Sequence, residues 1–67
     1  MNRQYRVKHP FGATRIDTGH KVLFEPTDEL WWDEEDDSSD PVIFTVYSKF
    51  EFKADDRVEF TQSIEPL

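Results

Sequence analysis

Sixty-seven residues without a cysteine predict one small domain. Such a domain buries only about 60% of its unfolded surface, has no disulfide or thiolate-bound metal to staple it, and lacks room for a core plus a ligand cavity of roughly 300–1,000 Å³. Six Phe, two Tyr and two Trp offer ~150–250 Å² of burial each, which argues against global disorder despite 34% charged residues. The formal charge of −7 is unevenly placed: residues 1–21 carry five bases and one acid, residues 22–40 nine acids and no base, and residues 41–67 three bases and five acids.

In chain order, Arg3–His9 alternates with Tyr5 and Val7 inward and the bases outward, the period of a first strand. Pro10-Phe11-Gly12 is a turn. Thr18-Gly19 joins 13–17 to 20–25 as a hairpin, the glycine supplying positive φ. Val22-Leu23-Phe24 is a short buried run that Pro26 ends. Thr27 is then placed to cap a helical turn around residues 28–32, with Asp28 and Glu29 set against its dipole. That turn carries Leu30, Trp31 and Trp32. Asp33–Asp40, the low-complexity segment of the chain, forms an acidic loop that Pro41 closes.

The C-terminal half is expected to be a hairpin. Val42–Phe52 alternates over eleven residues rich in β-branched and aromatic types, Lys53–Asp56 is the turn, and Arg57–Ile64 returns with Val58, Phe60 and Ile64 on one face. The expected fold is mainly β, a small five-stranded antiparallel meander with one short helical turn around residues 28–32. A partly closed barrel of the SH3 or OB kind hides its edges, and a curled sheet with one face covered by the tryptophan turn is the alternative.

Most site chemistry lacks its residues. Asp17-Thr18-Gly19 matches the catalytic triplet of the aspartic proteases and resembles the retroviral enzymes that act as dimers of small subunits. Here Arg15 and Lys21 stand where those enzymes carry apolar strands, and a hairpin turn accounts for the triplet. His9 and His20 have no partner at ligand spacing. With Gly12 and Gly19 as the two glycines, no phosphate-cradling loop can be built. The acid run lacks the glycine and terminal glutamate of a calcium loop. No enzyme activity, cofactor or metal is expected. The N-terminal residues lack the apolar stretch of a signal peptide and no apolar run approaches ~18 residues, so the expected protein is cytoplasmic, off the membrane, and a monomer or weak dimer.

The stretch LWWDEEDDSSDP, residues 30–41, carries what remains. Two neighbouring indoles cannot both face inward on one short turn, so one is expected at the surface, ringed by carboxylates. Packing like charges costs stability that an 8.0 kDa chain can scarcely spare, and a function should offset it. The expected partner-binding residues are Trp31 and Trp32 as anchors, Asp33, Glu34, Glu35, Asp36 and Asp37 as phosphate mimics, and Asp55, Asp56 and Glu59 as a second patch. The expected role is that of a small acidic inhibitor, phage- or mobile-element-encoded. It occludes the nucleic-acid site of a basic protein such as a nuclease, CRISPR effector, polymerase or repair enzyme. Alternatives are a nuclease immunity protein or antitoxin, a small-barrel adaptor subunit, and a single-strand binder using Arg3, Tyr5, Arg6, Lys8, His9, Phe11 and Arg15. Acidity argues against direct nucleic-acid binding.

Overall fold

A computed structural model describes residues 1–37, 39–45 and 50–67. They form seven strands and one helix: β1 Asn2–Val7, β2 Phe11–Arg15, β3 Lys21–Phe24, β4 Glu29–Asp33, β5 Val42–Thr45, β6 Glu51–Ala54, α1 Arg57–Ser63 and β7 Ile64–Pro66. All seven strands join one antiparallel sheet in the order β3-β2-β6-β5-β4-β1-β7. A flat sheet of seven strands spaced ~4.8 Å apart is a slab about 30 Å wide and about 10 Å thick, whereas the chain measures 28 × 24 × 22 Å, more than twice that thickness in its shortest direction. The sheet therefore curls over its own inner face without closing into a barrel. The mainly β class holds, and the strand number is seven where five were expected. The order is not a meander, because β2 pairs with β6 and β1 with β4, and no tryptophan turn covers a face.

Several elements depart from expectation. Phe11 and Gly12, expected in a turn, open β2 with Phe11 buried, Leu23 of the expected buried run is exposed, and Lys53 and Ala54, expected in a turn, end β6. The helical turn at 28–32 is the strand β4. Leu30 and Trp32 point inward and Trp31 outward, and β4 is hydrogen-bonded on both sides, to β1 and β5. Thr27 does not cap a helix; it takes a left-handed φ of 81° inside a reversal. There the Asp28 amide donates to the Glu25 carbonyl (3.1 Å) and the Asp28 carboxylate accepts from the Glu25 amide (3.0 Å). The expected continuous strand 42–52 is instead β5 and β6, paired to each other with Ile43 opposite Phe52 and Phe44 opposite Glu51. The intervening residues 46–49 lie outside the described residues.

The expected return strand 57–64 is mostly α1. Asp56, in extended conformation, accepts from the Val58 and Glu59 amides at 2.9 and 3.1 Å, the arrangement of a helix N-cap. Phe60 and Ser63, three apart, then face inward, while Val58 is 64% exposed. The apolar spacing of this segment fits either period; the cap decides. Asp56→Ala should lower stability by about 1 kcal/mol, read as a shift of the urea midpoint at unchanged slope. Gly19 sits at φ 75° and its amide donates to the Arg15 carbonyl at 2.8 Å, as the hairpin reading requires.

The core is a chain of rings. Phe52 meets Phe24 edge-on (5.4 Å between centroids), Phe24 stacks on Phe11 (4.9 Å), Phe11 meets Phe60 (5.3 Å), Phe60 meets Trp32 (5.0 Å), and Trp32 meets Tyr5 (5.6 Å). Phe60, from the helix, is the link between the rings of β2, β3 and β6 and those of β1 and β4. Leu30, Ile43 and Val7, each at most 1% exposed, fill the space between.

Candidate functional site

Adjacent strand residues point to opposite faces, and this separates the two tryptophans. Trp32 is 7% exposed and lies in the core against Tyr5 and Phe60. Its indole N–H is buried with no partner among the described residues, a cost of about 1–3 kcal/mol. Trp31 is 38% exposed on the outward face. Register places it in a row across the sheet: Gln4 on β1 opposite Trp31, Trp31 opposite Phe44 on β5, and Phe44 opposite Glu51 on β6. Ile16 extends the row, its amide donating to the Glu51 carbonyl at 3.0 Å. Phe44 and Ile16 are 36% and 48% exposed.

Phe44 was missed by sequence reasoning because alternation groups it with the buried Phe52. The signal that could have exposed it is that Ile43 and Phe44 are adjacent apolar residues, so one of them must face outward.

The strand carrying Trp31 runs straight into the acidic loop, which begins as a tight turn. The Asp36 amide donates to the Asp33 carbonyl and the Glu35 amide to the Asp33 carboxylate, both at 3.0 Å. That carboxylate also accepts from the Met1 amino group at 3.0 Å. The contact holds Asp33 below the usual carboxylate range, helped by the Glu35 amide, and raises the amine. Glu34 accepts from the Tyr5 hydroxyl at 2.8 Å and the Arg3 guanidinium at 3.5 Å. Burial, then this bond to Glu34, pushes the Tyr5 hydroxyl above its ordinary value. Further along, the Glu35 side chain is 83% exposed, Asp36 is half-buried, and Asp37 and Asp40 are exposed. The start of the loop is thus partly neutralised by the chain's own cations, and the Glu35 and Asp37 side chains face water.

The three C-terminal acids lie near one another around Gly12 and the start of α1, and each holds part of the fold. Asp56 caps α1. Glu59 accepts from the Gly12 amide at 3.2 Å and, with Asp56, lines a surface depression of about 530 Å³ beside His9. Asp55 accepts from the Thr14 hydroxyl at 2.6 Å and from the Lys21 ammonium at 3.3 Å. The Thr14 bond chiefly, then Lys21, holds its carboxyl below the usual range against partial burial.

Because Asp55 is lowered in the folded state, its contribution is fully present above the unfolded-state value of about 3.9 and disappears as pH falls through the lower folded-state value. Urea midpoints at pH 6 and pH 3 should therefore fall less in Asp55→Asn than in the natural chain. An equal fall in both would contradict the assignment.

Residues 17–19 form the β2–β3 turn. Asp17 is gripped by the Arg15 guanidinium at 2.6 and 2.8 Å, which lowers its carboxyl. Among the described residues no three His, Asp or Glu side chains are grouped to hold a metal, and no helix is long and apolar enough to cross a membrane. Comparison with protein-family models, with curated proteins and with solved structures gives no match to this chain.

Proposed function

We propose that this chain is a small acidic protein-binding module. On this reading it inhibits a basic, nucleic-acid-handling protein by presenting the loop carboxylates Glu34, Glu35, Asp36 and Asp37 where that protein normally receives phosphates. The observation that carries the reading is the exposed Trp31 on a strand that continues directly into water-facing acids. An indole buried at an interface contributes about 2 kcal/mol or more as a hot spot. Carboxylates around it raise the association rate and select against acidic partners. Trp32, placed in the core, supports the position of Trp31 and makes no contact of its own with a partner. Asp55, Asp56 and Glu59 act first as structural bonds, so the recognised acids are those of the loop.

The supporting asymmetry is electrostatic. Nine acids and no base fall between residues 22 and 40, and Met1 and Arg3 meet Asp33, Glu34 and Glu35 at the start of the loop. A surface potential so built attracts cationic grooves over about a Debye length, ~8 Å at physiological ionic strength.

The test is affinity capture with the natural chain in its own host, followed by competition. The recovered protein should bind DNA or RNA, and adding this chain should release the nucleic acid stoichiometrically. Simultaneous binding of chain and nucleic acid to the recovered protein would overturn the inhibitory reading.

A further inference from the structure

We infer that the outward row Trp31–Phe44–Glu51 receives an arginine side chain of the partner. This rests on the reading above that the partner is a basic protein, and it names the group that the row recognises.

The row alternates in chemistry as an arginine does. Strands are spaced ~4.8 Å apart, so the Glu51 carboxylate stands one strand from the Phe44 ring and two from the Trp31 indole. A guanidinium lying over these rings reaches Glu51 with its N–H fork. Planar stacking on an aromatic face and paired donation to a carboxylate are the two things arginine does and a hydrated ammonium does poorly. Along its own strand Trp31 is flanked on the same face by Glu29, which accepts from Gln4, and by Asp33, which meets the Met1 amine.

Lys53 shares the outward face of β6 with Glu51, and two arginines of the outer surface are engaged elsewhere. Arg6 pairs with Glu65 at 3.3 Å and Arg15 with Asp17 at 2.6 Å, whereas the Glu51 carboxylate has no ion pair or hydrogen bond among the described residues.

Next to Glu51 the surface already displays this recognition in miniature. A notch of about 260 Å³ is lined by Ile16, Asp17, Phe50 and Glu51. That is below the roughly 300 Å³ at which small-molecule sites begin, and it suits a single side chain. At its border the Arg15 guanidinium lies 3.4 Å from the centre of the Phe50 ring while gripping Asp17. Guanidinium, phenyl and carboxylate are thus combined within the chain, one residue from Glu51. The outward row offers the same ring and carboxylate without the guanidinium.

The experiment titrates the intact, isotope-labelled chain with hexaarginine and with hexalysine at equal ionic strength, following the Trp31 indole N–H and the affinity. Hexaarginine should bind about fivefold tighter and shift the indole signal. Trp31→Ala should abolish that preference and Glu51→Gln should reduce it. Glu51 is exposed and outside the core, so the second variant keeps the test decisive if the first perturbs the sheet. Neutralising Glu35 and Asp37 should weaken both peptides alike. Equal affinity for the two peptides with an unmoved indole overturns the inference and leaves the basic-partner reading standing; failure of both peptides to bind at low salt overturns both.

Discussion

Phe60→Ala is expected to leave the chain largely unfolded at room temperature. Removing a buried phenylalanine costs about 3–5 kcal/mol, and a domain of this size has a total stability of roughly 3–10 kcal/mol. Phe60 is 0% exposed, and its two edge-on contacts, to Phe11 and Trp32, connect the halves of the aromatic core; such contacts add about 0.5–1.5 kcal/mol each beyond area burial. Its helix has only seven residues, too few to persist unless packed, so losing the ring also releases α1 and loosens β7 behind it. Phe60→Leu, which retains an apolar side chain, should preserve most of the fold. Urea unfolding followed by near-ultraviolet circular dichroism distinguishes the two variants. A Phe60→Ala protein within 1 kcal/mol of the natural chain would show that the ring chain is not what joins the sheet.

The second large effect is on association. Replacing Glu34, Glu35, Asp36 and Asp37 together by Gln, Gln, Asn and Asn should slow binding of the captured partner by about ten- to a hundredfold at low salt and flatten its salt dependence. Folding should be affected less: Glu34 loses the charge that meets Arg3, but the amide still accepts from Tyr5. Asp33, which closes the turn through its carboxylate, is left in place for that reason. Trp31→Ala should act chiefly on the dissociation rate, because a desolvated anchor resists escape whereas charges accelerate approach. Stopped-flow mixing at two ionic strengths separates these contributions. Unchanged association in the neutralised loop would remove the phosphate-mimic reading and leave docking through the aromatic row.

Much of the N-terminal half was legible in the sequence. Tyr5 and Val7 alternate with charged or polar neighbours, and they are buried at 5% and 1%; Gly19 was identifiable because only a tight hairpin explains Thr-Gly between two runs. The tryptophan segment was misread because Pro-Thr-Asp-Glu carries the local signals of a helix start, and such signals lose to pairing when a strand is bonded on both edges, as β4 is. Residues 57–64 show the converse. Val58, Phe60 and Ile64 satisfy a period of two, but Asp56 at the start supplies amide acceptors that a strand has no use for. Long-range pairing and side-chain capping decide both cases, and neither is encoded in local periodicity.

At the site, the separation of the two indoles and the exposure of the loop acids were anticipated. The conclusion follows from any extended or short helical geometry. The tie between Glu34 and Tyr5 was not legible, since it needs β1 and β4 to be neighbours in register. The structural employment of Asp55 and Glu59 was hidden for the same reason, since Thr14, Lys21 and Gly12 are far from them in the chain, whereas Asp56 bonds to amides two and three residues on.

The most direct measurement is chemical-shift mapping of the labelled chain bound to the partner recovered from its host. Perturbations concentrated at residues 34–37, the Trp31 indole and the Phe44 ring are predicted, with Trp32 and the free edge of β3 unmoved. Perturbations confined to the Lys21–Phe24 edge or to the outer surface of α1, with the loop and Trp31 unchanged, would contradict the proposal that acids and indole together form the recognised face.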